Sequence, residues 1–224
     1  MNSKNRTLII VIAAIVLILG LAGIAVLLSG GDDSNESSVP APVSTDADGE
    51  PVAAADIEDT RPVEVTGDPL PPYDQAVADT AIGTAAPVIS GQSFDGSPVT
   101  IGGATGRPTM LVFLAHWCPH CNAEIPELIE LDSAGAIPDG VDVIGISTGV
   151  QPDQANYPPS EWIAETGWPW PIMADDADST AFLSDGGSGF PYTVLLDADG
   201  NVLSRVSGSR AASDISVWLT ETLG

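Results

Sequence analysis

Met110–Cys121, MLVFLAHWCPHC, is the stretch whose reading decides the fold. Its first half, Met110 to Ala115, is an unbroken apolar run of strand length, the pattern of a strand buried on both faces. Its second half, Trp117-Cys118-Pro119-His120-Cys121, ends that run and holds both cysteines of the chain. Pro119 suits the first turn of a helix, where its missing N–H would be unpaired anyway. A helix is therefore expected from about Pro119 to Leu131, with Ile125, Leu128, Ile129 and Leu131 inward and a kink at Pro126. This reading puts Cys118 between a strand end and a helix start, with Cys121 one turn further on.

That position has chemical consequences. Free N–H groups and the positive end of the helix dipole favour a thiolate on Cys118, and a donating His120 adds to the effect. Two cysteines at this spacing can close a disulfide and reopen to a dithiol. The exchange uses the sulfurs alone, so no cofactor is called for. Stabilising the dithiol makes the disulfide the stronger oxidant.

Competing uses of the pair fit less well. A zinc site wants four ligands, and His116 and His120 would have to complete it from within six residues, where the groups converge poorly. Covalent haem attachment wants His directly after the second cysteine, and Asn122 stands there. A purely structural disulfide closing so short a loop stabilises little. A metal or haem chaperone using the same thiols is the alternative from a different class.

Downstream of the motif the pattern alternates. Val141 to Ser147 reads as a second buried strand, Ser160 to Thr166 as a short helix and Trp170 to Ala174 as a short strand. Ser179 to Leu183 reads as one or two helical turns. Tyr192 to Leu196 and Asn201 to Val206 form a hairpin about Asp197-Ala198-Asp199-Gly200, and an amphipathic helix runs from about Ala212 to Leu223. Gly186-Gly187-Ser188-Gly189 reads as a flexible lead-in to the strand that follows. Upstream, Val88 to Phe94 and Val99 to Ile101 make a hairpin turning at Asp95-Gly96. Strands alternating with helices imply an α/β fold, a central mixed sheet flanked by helices.

The N-terminal part differs in kind. Thr7 to Leu28 is twenty-two residues without a charge, roughly 33 Å as a helix at about 1.5 Å per residue, enough to span a bilayer. Lys4 and Arg6 precede it and Asp32, Asp33 and Glu36 follow it. A single-pass signal anchor is expected over 7–28, with residues 1–6 cytoplasmic and the rest extracytoplasmic. A cleaved signal peptide is the rival, but its apolar core is usually shorter, about 7–15 residues. From 29 to 85 the chain is acidic and rich in Pro and Ala, with prolines at 40, 42, 51, 62, 69, 71 and 72. It reads as a disordered tether, with the alternative that Pro69 to Ala81 packs on the domain as an irregular arm. The net charge of −25 with six Lys/Arg excludes a phosphate-neutralising surface and so nucleic acid as a partner.

The motif after an apolar strand resembles the thioredoxin fold, and its surroundings resemble the membrane-anchored TlpA/ResA-like thiol-disulfide oxidoreductases. The residues that carry the likeness are Ala86-Pro87, Phe94-Asp95-Gly96, Cys118-x-x-Cys121-x-x-Glu124-x-Pro126, Gly189-Phe190-Pro191-Tyr192-Thr193 and Leu196-Asp197-x-x-Gly200. It covers residues 86–224 and implies a thioredoxin-like domain with an N-terminal β-hairpin extension. It also implies that Pro191 is a cis-proline facing the cysteines, with Cys118 the exposed nucleophile and Cys121 its buried partner. His120 would tune the thiolate, and Trp117, Pro119 and Phe190 would line the client-binding groove. Clients would be proteins with thiols or disulfides, with a membrane electron-transfer partner.

Two departures follow from the same comparison. Where thioredoxins carry a buried Asp this chain has Val112, leaving Glu124 as the nearest carboxyl in sequence. The Pro-His dipeptide resembles oxidising DsbA-type enzymes while the body resembles the usually reducing type. Oxidation of client thiols is the favoured direction; reduction of apocytochrome c or other extracytoplasmic disulfides is the alternative.

Overall fold

The computed structural model of the chain describes residues 59–224. The membrane helix expected over 7–28, the 1–6 segment and the tether from 29 to 58 lie outside the described residues. Among the described residues no helix is long and apolar enough to cross a membrane. The strands are β1 (Glu64–Thr66), β2 (Val88–Gln92), β3 (Pro98–Ile101), β4 (Thr109–Leu114), β5 (Asp142–Ser147), β6 (Ile172–Ala174), β7 (Tyr192–Leu196) and β8 (Val202–Ser207). The helices are α1 (Pro119–Ser133), α2 (Pro159–Thr166), α3 (Thr180–Ser184) and α4 (Ala212–Leu223). They form one mixed sheet in the order β1-β2-β6-β5-β4-β7-β8, with β3 paired to β2.

β4 sits inside the sheet and all six of its residues are buried, which is why its sequence shows no polar alternation. It runs parallel to β5 and antiparallel to β7. Leu111 and Phe113 face one core with Ile146, Phe182, Tyr192 and Val194. Met110, Val112 and Leu114 face the other, filled by Ile125 and Leu128 of α1, Trp162 and Ile163 of α2, and Ile215 and Leu219 of α4. Burying each such side chain contributes about 1.5–3 kcal/mol. Both hairpins form where expected, β2–β3 closed by Asp95 accepting from the Ser97 N–H and β7–β8 by Asp197 accepting from Asp199 and Asn201. α1 continues through Pro126 to Ser133.

The tether expectation is corrected from residue 59 onward. β1 pairs with β2, Asp59 accepts from the Ser160 hydroxyl, and Leu70 and Ala81 are buried in the core. Residues 69–81 form the packed irregular arm, held by backbone bonds from Leu70 to Ser184 and from Tyr73 to Gly186 and by Arg205. Its guanidinium donates to Asp79 at 2.9 and 2.5 Å, to the Pro71 carbonyl at 2.8 Å and to the Tyr192 hydroxyl at 3.3 Å, and lies 5.3 Å from the Tyr73 ring centre. Asp79 is held below the usual carboxylate range by its hydrogen bond from Arg205. A segment too polar to fold alone is ordered because the domain supplies the cation and the apolar surface it lacks.

The glycine run is likewise packed rather than loose. Gly186 lies at φ 77°, and a Cβ there would strike the Pro71 carbonyl and Arg205. A Cβ on Gly187 would enter the Phe182 ring. Glycine is required here by close approach, so flexibility was the wrong inference from the composition.

Candidate active site

Three loops leave the sheet at one end. β4 runs into the cysteine motif just beyond Leu114. Its parallel neighbour β5 pairs Ser147 with Leu114 and runs on into residues 148–158. Antiparallel β7 begins at Tyr192, opposite Phe113, so Pro191 enters the sheet at this same end. Register alone gathers the motif, the 148–158 segment and the Phe190–Pro191 dipeptide.

Cys118 is the N-cap of α1, in extended conformation, and its Sγ accepts the Cys121 N–H at 3.4 Å. Both cysteines are free thiols. Cys121 is fully buried, and burial pushes its thiol far up, so it holds its proton. Cys118 is 4 % exposed, which corrects the expectation of an exposed nucleophile. It sits in the same apolar cluster as Cys121 with Trp117 and Phe190 packed against that cluster, and it is the member of the pair with any opening to solvent. Pro119 and His120, the two residues between, are exposed. His120 Nδ1 lies 3.5 Å from the Ser209 hydroxyl on the β8–α4 loop.

The Phe190–Pro191 peptide is cis, and so is Tyr157–Pro158. Phe190 meets Trp117 edge-on at 5.7 Å and stacks on Phe182 at 4.6 Å. Trp117 is half-buried and donates its indole N–H to the Gly149 carbonyl at 2.7 Å. It therefore both packs and borders the site. His116 points away from the sulfurs, with both ring nitrogens bonded to the 151–155 backbone. Among the described residues no group of three or more His, Cys, Asp or Glu is arranged to hold a metal ion.

Three contributors were not singled out from sequence. Asn122 donates to the Cys118 carbonyl at 2.8 Å and to the His116 carbonyl at 3.3 Å, while accepting from the Trp162 indole. It braces the turn that bears Cys118, and nothing in the sequence marks it. Gly149 and Arg210 come from loops far along the chain, beyond what local pattern reveals. Glu124 was legible as a position but not as an environment. One turn beyond Cys121 on the same helix face, it is 4 % exposed rather than solvated. Its Oε2 accepts the Arg210 N–H at 2.8 Å, and burial pushes its carboxyl up to about 7. Val112 lies in the cluster with both cysteines, so β4 offers them no carboxyl and α1 does.

A strand–Cys-x-x-Cys–helix unit with a cis-proline entering the same end of a mixed sheet defines a thioredoxin-fold domain. The Redoxin family model matches residues 81–216, and the chain belongs to that family. It is similar to the thiol:disulfide interchange protein HelX of Rhodobacter capsulatus, 32 % identical over 103 residues covering 46 % of this chain and 53 % of HelX. The methylamine utilization protein MauD of Paracoccus denitrificans is 32 % identical over 126 residues, 55 % of this chain and 58 % of MauD. The chain spans about half the length of the curated relatives it matches. Among solved structures, a thioredoxin-family thiol:disulfide interchange protein from Chlorobium tepidum is 30 % identical, with 66 % of this chain and 100 % of that one covered, at a TM-score of 0.51.

Proposed function

We propose that the chain is a membrane-tethered thiol-disulfide oxidoreductase acting outside the cytoplasmic membrane, with oxidation of client thiols its favoured direction. The observation that carries the exchange chemistry is the asymmetry of the cysteine pair: Cys118 caps α1 and takes the Cys121 N–H on its sulfur, while Cys121 is sealed beneath it; the tether rests on the uncharged run Thr7 to Leu28. Interactions that stabilise a Cys118 thiolate stabilise the dithiol and make the disulfide more oxidising. The names of the similar proteins HelX and the Chlorobium tepidum protein support thiol–disulfide interchange.

In the oxidising direction a client thiolate attacks Cys118 of the disulfide form. The client–Cys118 bond forms as the Cys118–Cys121 bond breaks, and Cys121 leaves as a thiolate that takes up a proton. A second client thiolate then attacks the client sulfur of the mixed disulfide, releasing Cys118 as thiolate. Two electrons pass from the client to the pair, and a membrane electron-transfer partner would remove them. Phe190-Pro191, Trp117 and Pro119 would bind extended client chain, and His120 would tune the Cys118 thiolate from the surface.

Cys121 needs a proton as it leaves, and Glu124, buried one turn along the same helix face, would supply it. With its carboxyl near 7, Glu124 is protonated below that pH and can donate; above it, the ionised form can accept the Cys121 proton in the reverse reaction. Glu124→Gln should therefore erase an inflection near pH 7 in the rate of client oxidation. Below that pH the rate should drop by about 10²-fold, as for loss of a general acid. Stopped-flow rates from pH 5 to 9 check this, and an unchanged profile would remove Glu124 from the mechanism.

The direction is tested by equilibrating the full chain in detergent with glutathione buffers. Above about −150 mV the oxidant assignment stands; a value near thioredoxin's, about −270 mV, would reverse it in favour of a reductase.

A further inference from the structure

His116 precedes the motif, and no step of the exchange uses it. It is 0 % exposed, and a buried imidazole must have both nitrogens satisfied. One faces the Ala155 carbonyl, at 2.7 Å from Nδ1; the other faces the Gln151 N–H, at 3.1 Å from Nε2. A carbonyl only accepts and an N–H only donates, so the proton sits on Nδ1 and Nε2 is the acceptor. Burial also holds the imidazole below the usual histidine range, in keeping with that neutral form. The backbone of His116 serves the same segment, its carbonyl accepting from the Asn156 amide at 2.8 Å. Trp117, the next residue, takes the Gly149 carbonyl.

Two consecutive residues just ahead of the nucleophile thus fasten the 149–156 loop at both ends. The middle of that loop has little apolar content of its own, and 153 to 156 are exposed. At its start, a Cβ on Gly149 would lie 3.2 Å from the Phe190 ring. Trp117, Gly149 and Phe190 therefore adjoin one another, and the loop runs on from Gly149. An apolar side chain at 116 would fill the same volume but would fix no backbone. A bridging imidazole sets the loop's N–H and C=O groups in place.

We propose that His116 is a positioning residue for client recognition, holding the 149–156 loop as a polypeptide-binding wall beside Cys118. The proposal rests on the oxidoreductase reading, and its substrate is an extended, cysteine-bearing peptide segment. A small dithiol has no backbone to pair with the loop, so His116 governs peptide clients and leaves small thiols unaffected.

The experiment compares oxidation of a cysteine-containing peptide and of dithiothreitol by the full chain, for wild type, His116→Leu, His116→Gln and Asn156→Ala. Releasing the loop should raise KM for the peptide about tenfold in His116→Leu, the effect of leaving buried backbone groups unpaired, with kcat little changed. The dithiothreitol rate should stay within about twofold of wild type, since uniform client binding alone is lost. His116→Gln retains an acceptor near the Nε2 position and should recover part of the peptide KM. Asn156→Ala alters an exposed residue and should show the same split more weakly, which keeps the test alive should His116→Leu not fold. Nitrogen-15 shifts of the wild-type ring should report a protonated Nδ1 and a bare Nε2. Peptide KM unchanged in the folded variants, or peptide and dithiothreitol rates falling together, would overturn the proposal. A wild-type chain that oxidises neither thiol overturns the oxidoreductase reading itself, a result separate from either of these.

Discussion

Cys118→Ser should abolish exchange with any thiol, lowering the rate by at least about 10³-fold, as removal of a nucleophile does. Cys121→Ala should instead leave the first step intact and stop the second. Starting from a client disulfide, the Cys118 thiolate attacks and forms the mixed disulfide, and no partner sulfur remains to release it. The variant should therefore accumulate a covalent adduct with client, visible as a mass shift that disappears on reduction. The asymmetry follows from position. Cys118 caps the helix, takes an N–H on its sulfur and keeps a small opening to solvent, while Cys121 has none and holds its proton. An adduct on the Cys118→Ala variant but not on Cys121→Ala would exchange the two roles.

Arg205→Ala should be the most damaging substitution outside the motif. This one side chain ties the arm at Pro71, Tyr73 and Asp79 to the body at Tyr192 and Asp185, beside backbone bonds from Leu70 to Ser184 and from Tyr73 to Gly186. Its ion pair with Asp79 is buried, and breaking a buried pair by removing one partner costs about 3–5 kcal/mol. That is a large share of the roughly 5–15 kcal/mol that holds a domain folded. Nearby Asp185 is fully buried and its carboxyl oxygens have no partner; burial pushes it up to about 8. It is thus protonated and uncharged at neutral pH, so Asp79 is the carboxylate that loses its counter-charge when Arg205 is removed. The arm should detach first, so limited proteolysis should cut within residues 68–80 of the variant before the body. Denaturant midpoints should fall for Ala and less for Arg205→Lys, which keeps the charge without the fork. An Ala variant as stable as wild type, its arm still protected, would show that the arm's apolar contacts and backbone hydrogen bonds hold it without Arg205.

Much of the fold was legible because its signals are local. The apolar run of β4, the Asp-Gly and Asp197–Gly200 turns and the periodicity of α4 each reside within a dozen residues. The cysteine pair was legible for the same reason. What failed were inferences from composition about segments that borrow their order from elsewhere. Residues 59–85 look unfoldable because their stabilising partners, Ser160, Asp175, Ser184 and Arg205, lie about a hundred residues away. The 186–189 glycines look flexible because the ring and carbonyl that fill their missing side chains are invisible in sequence. Glu124 is legible as the nearest carboxyl, but its burial depends on the β8–α4 loop, whose Arg210 N–H it accepts.

By itself the sequence determined the class of fold, the central strand, the cysteine pair and the residues on each side of it, since these rest on spacing and polarity within short windows. Only the tertiary structure decided how the pair is used. It buries Cys118 almost as deeply as Cys121, lifts the Glu124 carboxyl to near neutrality and brings a distant loop onto His116. Those properties depend on dielectric surroundings and on contacts across the chain, which no local pattern carries.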